Sequence, residues 1–419
     1  MIRTQRLAAC IAFGVMLFAQ LACQTLIPSR DAVSTSQPTP SEATATQEND
    51  TTTNATAPAS PSEDEIRAGI QLSLDLYAQA YNENDPELLT QVVDQENLPF
   101  RRIVKSRFDE FQTSADAGQI RFKYNLLDIE KREFGYVIAH FEMDGYAVEA
   151  LWPFRLLGGN WVLTEPTVEN IGEPVITETE HFVFTTYPWA DDVNPKIMEL
   201  METARNDVES VLGKVPEEKA NVRIMPIYSL SPYNPMGAIA LYKREQGATK
   251  NLIDVYAPYS YAFSFFDPRH GWEGELQATL THEYTHMTHA RSFNGAGRLS
   301  DWMSEGLAEY VSGAEGRKAD ACYAFRSGTF IPIVDQSDVV YKQDLMHMYN
   351  LETNFGLSYS FATSLVYFTV KNYGGLDGFW KLANALDKTS DFTEAVPEAF
   401  GISYEEYDEK WQQWLKAQC

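Results

Sequence analysis

The sequence predicts an α+β protein with two folded domains, and three observations lead to this prediction. The chain has 419 residues, of which 44% are hydrophobic, so it can build two packed cores. Apolar residues recur at steps of three and four over 66–81, which predicts a helix, and then alternate over 120–126 and 137–141, which predicts strands. Farther along, strand-like segments precede a mostly helical C-terminal part, an order typical of α+β folds.

The first domain is predicted over residues 63–172. Its helix precedes an antiparallel meander, with hairpin turns predicted at Asp144-Gly145 and Gly158-Gly159. The order of elements, with Trp152-Pro153-Phe154 before the last hairpin, loosely resembles the nuclear-transport-factor-2-like (NTF2-like) cone fold. Such cones hold a ligand or mediate contacts. Because no cluster of titratable residues occurs in this range, we expect an accessory role.

The second domain is predicted over residues 173–419. It opens with a strand-like alternation at 181–185 and a helix that starts near Pro195 and stops at Gly213. Further strands are expected at 222–228, 238–242 and 252–257, and helices dominate after Trp272.

The charge balance excludes one class of partner. The chain has 33 Lys and Arg against 59 Asp and Glu, a net charge of −26 at pH 7, and no basic stripe. Such a surface repels phosphate backbones, so we expect no nucleic-acid binding.

The N-terminus has the pattern of a targeting segment. Arg3 and Arg6 precede an apolar stretch of 16 residues over 7–22, which suits a signal peptide and is short for a bilayer span. The end of residues 1–23 resembles a bacterial lipobox, with Cys23 as the lipidated residue, although Gln20 stands where lipoproteins usually carry leucine. The resemblance implies an extracytoplasmic lipoprotein anchored to the bacterial cell membrane. Ordinary signal cleavage and an uncleaved anchor remain alternatives, and each also exports the chain.

Residues 24–62 are rich in Ser, Thr, Pro and Ala and contain no aromatic residue. Because such a segment cannot bury enough apolar surface to fold, it predicts a disordered linker. Beyond it, Cys322 and Cys419 are the two remaining cysteines. An oxidising compartment would permit a disulfide between them, and a pair of small buried residues is the alternative.

The chemistry of the second domain centres on an H-E-x-x-H motif formed by His282-Glu283-Tyr284-Thr285-His286. On a helix, histidines four residues apart lie on one face and can bind one metal ion, and the glutamate can reach a metal-bound water. No proline occurs from 269 to 331, so a helix is plausible here.

A second motif supplies the third ligand that a catalytic zinc usually needs. In Trp302–Tyr310, Glu305 follows His286 after 18 intervening residues. The metzincin alternative fails, because the glycine and the third histidine that it requires would fall on His289 and Ser292. The predicted zinc ligands are therefore His282, His286 and Glu305.

These motifs resemble those of the gluzincin metallopeptidases, in particular the aminopeptidase-N type and its smaller peptidase-MA-like relatives. The resemblance covers roughly residues 175–419. It implies a thermolysin-like catalytic domain that binds one Zn²⁺ per chain and acts on a peptide or protein, with Glu283 as the general base. Tyr359, before Ser360-Phe361-Ala362, best matches the tyrosine that stabilises the oxyanion, with Tyr341 and Tyr367 as rivals. Glu309, one turn after Glu305, would orient a zinc-bound imidazole, unless it is simply an exposed charge on the helix.

One departure bears on the type of cleavage. The aminopeptidases carry a Gly-Ala-Met-Glu-Asn strand whose glutamate binds the free amine of the substrate, but Met236–Ala240 contains no glutamate. Endopeptidase activity is therefore expected rather than aminopeptidase activity. A non-catalytic binding or scaffolding lipoprotein with a structural zinc domain is the main alternative, and the intact Glu283 argues against it. A zinc hydrolase that acts on a non-peptide bond is the second alternative.

Overall fold

An N-terminal unit of helices and a β-sheet, a second β-sheet with a crossing helix, and a C-terminal group of helices make up the part of the chain that the structure describes. The structure is a computed structural model, and it describes residues 61–113, 120–145, 149–230, 239–243, 252–261, 271–293, 299–328 and 351–419. The predicted signal peptide at 1–23, Cys23 and all but the last two residues of the predicted linker lie outside these ranges.

Three helices and a four-stranded sheet form the N-terminal unit. The helices are α1 (Glu63–Glu83), α2 (Pro86–Val92) and α3 (Leu98–Thr113). The strands are β1 (Tyr124–Lys131), β2 (Tyr136–Met143), β3 (Glu149–Leu157) and β4 (Asn160–Leu163), all antiparallel and adjacent in chain order. Helix α1 begins at a capping box, because the Ser62 hydroxyl accepts from the Glu65 N–H while the Glu65 carboxylate accepts from the Ser62 N–H.

Aromatic rings fill the interior of this unit. They come from α1, α3 and the sheet, each is at most 8% exposed, and several meet edge to face, as aromatic pairs prefer. The rings belong to Tyr77, Tyr81, Phe108, Phe111, Phe122, Tyr124, Phe141 and Trp152. Packed aromatic side chains therefore line the space between the helices and the sheet.

A mixed five-stranded sheet follows. Its strands are β5 (Val175–Glu178), β6 (Phe182–Thr186), β7 (Ala220–Met225), β8 (Ala240–Lys243) and β9 (Leu252–Tyr256), and α4 (Asn194–Leu212) crosses from β6 to the parallel β7. The spatial order is β5-β6-β7-β9-β8, so β9 lies between β7 and β8. Strand β8 therefore lies at an edge of the sheet, antiparallel to β9.

The remaining elements are helical. They are α5 (Pro258–Tyr261), α6 (Gly271–Ser292), α7 (Asp301–Val311), α8 (Glu315–Ser327), α9 (Leu351–Asn372), α10 (Leu376–Thr389), α11 (Phe392–Phe400) and α12 (Tyr404–Gln418). A disulfide between Cys322 and Cys419 joins α8 to the residue after α12. None of the helices in the described ranges is both long enough and apolar enough to cross a bilayer.

The N-terminal unit contacts segments that flank the strands of the second sheet. Arg132, between β1 and β2, forms an ion pair with Asp192 at 2.7 Å and donates to the Trp189 carbonyl at 3.3 Å. The buried Glu165, just after β4, accepts a hydrogen bond from the Tyr228 N–H at 3.0 Å. Strand β3 also contacts α5 and α6. The N-terminal unit therefore touches the helix that carries the H-E-x-x-H motif.

The mixed α/β architecture, with a β-rich N-terminal part and a helical C-terminal part, agrees with the predicted α+β class. The periodicity located α1, α4 and the strands β1, β2, β6, β7, β8 and β9 to within a few residues. It missed α2, α3 and β5. The buried residues Phe100, Val104, Phe108 and Phe111 of α3 do follow a helical spacing, so this helix was predictable. All four residues of β5 are exposed, so no alternation of buried and exposed residues marks this strand.

Candidate metal centre

Two helices bring the three predicted ligands together. Helix α6 carries His282 and His286 one turn apart, and α7 carries Glu305. The two imidazole Nε2 atoms lie 3.0 Å apart, and Glu305 Oε2 lies 3.2 Å from that of His282 and 3.3 Å from that of His286. These are the only residues, within the described ranges, that form such a cluster of three potential metal ligands.

The triangle has the size that zinc requires. Ligand atoms at 2.0–2.1 Å from a tetrahedral ion are separated by about 3.3 Å. Glu305 Oε2 is buried, and although both imidazoles are near, it accepts no hydrogen bond of acceptable geometry from a described residue. Two imidazoles and one carboxylate are also a donor set that zinc prefers. The residues therefore fit a zinc ion.

The charge of the site also favours a cation. The side chains of His282, His286 and Glu305 are at most 12% exposed, and Glu283 and Glu309 are buried beside them. Burial alone would raise the pKa of Glu305, but the two histidines outweigh it and hold this pKa well below its usual range. Burial alone would lower the pKa of His282, but the surrounding carboxylates raise it to about 9. Because zinc binds neutral imidazole, zinc binding must release a proton here.

Each imidazole has a second polar contact that fixes its ring. The Nδ1 atom of His282 lies 3.5 Å from Glu309 Oε1, so the structure places Glu309 where the sequence predicted an orienting carboxylate. The Nδ1 atom of His286 lies 3.0 Å from the Ser304 hydroxyl. Sequence reasoning missed Ser304, and its position directly before Glu305 does not by itself show that it reaches an imidazole. Such outer contacts set the tautomer and orientation of metal-binding histidines.

Glu283, the predicted general base, is 1% exposed and meets the edge strand. Its Oε2 accepts a hydrogen bond from the Tyr242 backbone N–H at 2.7 Å. Burial raises the pKa of Glu283, and the two histidines only partly offset this effect. A raised carboxyl pKa suits a group that must accept and then return a proton near neutral pH.

The predicted oxyanion tyrosine lies in the middle of a helix. Tyr359 is 3% exposed in α9, which packs against α7. The sequence placed Tyr359 just before a helix, whereas α9 already begins at Leu351. Its rival Tyr367 packs its ring against Tyr310 at 4.7 Å, and Tyr341 lies outside the described residues. The oxyanion role of Tyr359 stays a prediction.

Two other sequence features have a place in the structure. Of the segment Met236–Ala240, only Ile239 and Ala240 are described; both are buried, and Ala240 begins the edge strand β8. His289 stacks on Trp380, with ring centres 5.9 Å apart, and is not part of the ligand cluster.

The sequence profile of the Peptidase MA superfamily matches residues 272–417, a segment that contains both ligand-bearing helices. No curated protein matches the chain.

Among solved structures, the M1 zinc metallopeptidase from Deinococcus radiodurans matches at 13% identity and a TM-score of 0.30, over 71% of this chain and 61% of that chain. The aminopeptidase A from Legionella pneumophila, solved in complex with aspartic acid, matches at 13% identity and a TM-score of 0.31, over 69% of this chain and 32% of that chain. The present chain thus spans less than two thirds of the length of either structure. At TM-scores this low, the two likenesses add nothing to the argument.

Proposed function

Residues 272–417 match the sequence profile of the Peptidase MA superfamily, and from this match we propose that the protein is a zinc-dependent peptidase of the gluzincin type. The observation that carries the proposal is the buried triangle of two imidazole nitrogens and a carboxylate oxygen, 3.0–3.3 Å apart, next to the buried carboxyl of Glu283. One zinc ion per chain would be held by His282, His286 and Glu305.

Each side chain of the site has a separate role in the proposed hydrolysis of a peptide bond. When bound, zinc lowers the pKa of a bound water to about 7 and polarises a carbonyl oxygen. The Glu283 carboxylate takes a proton from the attacking water, whose oxygen forms a bond to the carbonyl carbon. The same carboxyl group then returns the proton to the amide nitrogen as the C–N bond breaks, which leaves an acid and an amine. Tyr359 is the proposed donor to the oxyanion.

We propose internal cleavage rather than removal of N-terminal residues. The absence of a glutamate from Met236–Ala240 supports this proposal, because a free α-amine would need an anionic partner beside the edge strand. The described edge strand, Ala240–Lys243, carries no carboxylate either. An extended chain could lie along this edge by backbone pairing alone.

The test is a digestion by the full chain, purified in detergent, of a pool of denatured proteins, with cleavage sites read by mass spectrometry. The matched control is Glu283→Gln, which keeps the size of the side chain but removes the base. Internal cleavages by the wild type that are at least about a hundredfold slower in the variant support the proposal. If elemental analysis finds no zinc in the purified protein, this result would contradict the ligand assignment. A protein that contains zinc but cleaves no peptide bond would contradict the peptidase function.

We also propose that the protein is exported and anchored through a lipid on Cys23. The Cys322–Cys419 disulfide supports export, because such bonds form and persist in oxidising compartments. Labelling with a radioactive fatty acid tests the anchor: label should enter the wild type and a Cys10→Ser variant but not Cys23→Ser. Label in Cys23→Ser would contradict the proposed site.

For residues 63–172 we propose an accessory, NTF2-like role in contacts rather than in ligand binding. The aromatic interior supports this proposal, because it holds rings packed on one another and no cluster of titratable side chains that would bind a polar ligand among the described residues. The contacts of Arg132 and Glu165 with the second sheet point to the peptidase domain, residues 173–419, as the partner.

A further inference from the structure

The edge strand β8 reaches the general base through its backbone. Tyr242 is paired across the sheet with Ile253 of β9, yet its N–H donates to Glu283 Oε2 at 2.7 Å. In an antiparallel ladder, alternate residues direct their N–H and C=O groups away from the neighbouring strand. Tyr242 is such a residue, so its N–H belongs to the free edge of the sheet. This donor meets a carboxyl group that is only 1% exposed.

An ion network behind β8 fixes the strand at the same place. Asp254 of β9 is completely buried, and the Arg223 guanidinium of β7 binds its carboxylate through two hydrogen bonds of 2.8 Å. Lys243, which directly follows Tyr242, places its Nζ 2.6 Å from the same carboxylate. The network therefore ties β7, β9 and β8 together next to the residue that contacts Glu283.

We propose that the Tyr242 backbone N–H is a positioning group for Glu283. It holds one carboxylate oxygen in a charge-assisted hydrogen bond, so the orientation of the base is set before a substrate binds. The Arg223–Asp254–Lys243 network holds the strand that presents this donor. The inference rests on the proposed peptidase function, since it assigns Tyr242 a part in the same reaction.

One substitution removes the donor while keeping the strand. Proline has no N–H and is tolerated on edge strands where the N–H faces away from the sheet, so Tyr242→Pro deletes the hydrogen bond without breaking the β8–β9 ladder. Tyr242→Ala is the matched control, because it removes the same ring but keeps the N–H. We expect kcat of the proline variant to be about a hundredfold below that of the alanine variant, with similar KM and zinc content. Equal kcat values would overturn the proposal, as would a difference confined to KM, which would assign the N–H to substrate binding.

The ion network offers a second test if the proline variant does not fold. Lys243→Met removes the charge that ties β8 to Asp254, and Lys243→Arg preserves it. We expect kcat to fall in Lys243→Met and to recover in Lys243→Arg. A wild-type kcat in Lys243→Met would contradict the role of the network.

A measurement that does not use activity separates this inference from the proposed function. The denaturation midpoints of the full chain are compared for Tyr242→Pro and Tyr242→Ala, with Glu283 present and with Glu283→Ala. With Glu283 present, we expect Tyr242→Pro to be less stable than Tyr242→Ala. If the hydrogen bond exists, this difference in stability largely disappears in the Glu283→Ala background. An unchanged difference in stability would show that the Tyr242 N–H and the Glu283 carboxylate do not interact. This measurement tests the contact between Tyr242 and Glu283 even if the wild type cleaves no peptide, so a failure of the contact and a failure of the proposed function are distinguishable.

Discussion

At the scale of single residues, the centre depends on polar groups that the protein buries around two imidazoles. Three glutamates lie within the same buried site, and each contacts a different partner. Glu305 lies beside the Nε2 atoms of the two histidines, Glu309 lies beside Nδ1 of His282, and Glu283 accepts a hydrogen bond from the edge strand. A buried excess of carboxylates is costly unless a cation compensates it. Metal binding should therefore contribute to the stability of this region as well as to the reaction.

Ser304 provides the first prediction at this scale. Its hydroxyl lies 3.0 Å from His286 Nδ1, the nitrogen that faces away from the metal position. We expect Ser304→Ala to weaken zinc binding by about tenfold, because the ring loses the contact that sets its orientation. Competition with a chelator of known affinity measures this change. Ser304→Thr, which keeps the hydroxyl, is the matched control, and equal affinities of the alanine variant and the wild type would contradict the role of Ser304.

At the scale of elements, the position of Glu305 depends on how closely α7 and α9 pack. Gly306 has no side chain, and a Cβ there would lie 2.6 Å from the Ala362 carbonyl oxygen and 2.8 Å from a Val366 methyl group. Contacts under 3.0 Å to backbone atoms are not tolerated without movement. The glycine that follows Glu305 therefore permits the approach of α9, the helix that carries Tyr359.

Gly306→Ala is the second prediction. The alanine would gain up to about 1 kcal/mol of helix propensity, but overpacking against a backbone carbonyl costs about 1–3 kcal/mol, so we expect a net loss of stability. We also expect weaker zinc binding, since α7 must shift together with Glu305. Urea denaturation and metal analysis measure both effects. A variant that is more stable than the wild type would show that propensity dominates and that the two helices are not in close contact.

The disulfide provides the third prediction, because it connects elements that are distant in the chain. Cys322 and Cys419 close a loop with a sequence separation of 97 residues, which includes α9 to α12. A cross-link over such a loop stabilises a protein by about 2–5 kcal/mol. We expect the double variant Cys322→Ser/Cys419→Ser, and the wild type in reductant, to lose stability by a similar amount in guanidinium denaturation. A reductant that leaves the midpoint unchanged would contradict this expectation.

At the scale of the whole molecule, the N-terminal unit and the second sheet share a buried carboxyl group. Glu165 is 2% exposed, its Oε2 accepts from the Tyr228 N–H, and its Oε1 has no hydrogen-bond partner among the described residues. Burial raises the pKa of Glu165 to about 8, an effect that the hydrogen bond from Tyr228 only partly offsets. Tyr228 precedes β8 in the chain, and β8 is the edge strand that contacts Glu283.

The pH dependence of stability follows from this raised pKa and is the fourth prediction. The folded state keeps the proton of Glu165 up to about pH 8, whereas the unfolded chain loses it near pH 4.5. The contribution of this group to the free energy of unfolding is therefore complete at low pH and declines as the pH rises between these two values. The decline is at most about 1.4 kcal/mol per pH unit. Glu165→Gln, a neutral isostere, should therefore gain stability over the wild type progressively from pH 5 to pH 8.

Thermal or urea denaturation across this pH range measures the effect. The exposed Glu173→Gln is the matched control, and it should leave the pH profile of the wild type unchanged. Parallel profiles for Glu165→Gln and the wild type would show that Glu165 is ionised in the folded protein.

Much of the site was predictable because the relevant information is local or regularly spaced. The four-residue interval between His282 and His286 places two imidazoles on one helix face whatever surrounds the helix, and the second motif marked Glu305. The family match over residues 272–417 confirms the resemblance on which the zinc peptidase prediction was based. Ser304 was missed because a serine beside a ligand has many roles, and only the packing of α7 on α6 shows which imidazole it reaches.

The sequence by itself determined most of the helix and strand pattern, though not α2, α3 and β5, and it determined the ligand candidates and the acidic charge, since these depend on residue type and on intervals of a few residues. Only the tertiary structure decided the contacts between distant segments: Tyr242 with Glu283, Gly306 with Ala362, Cys322 with Cys419 and Glu165 with Tyr228. The physical reason is that these contacts join residues 41 or more positions apart, whose meeting depends on the packing of whole elements. Periodicity along the chain does not contain that information.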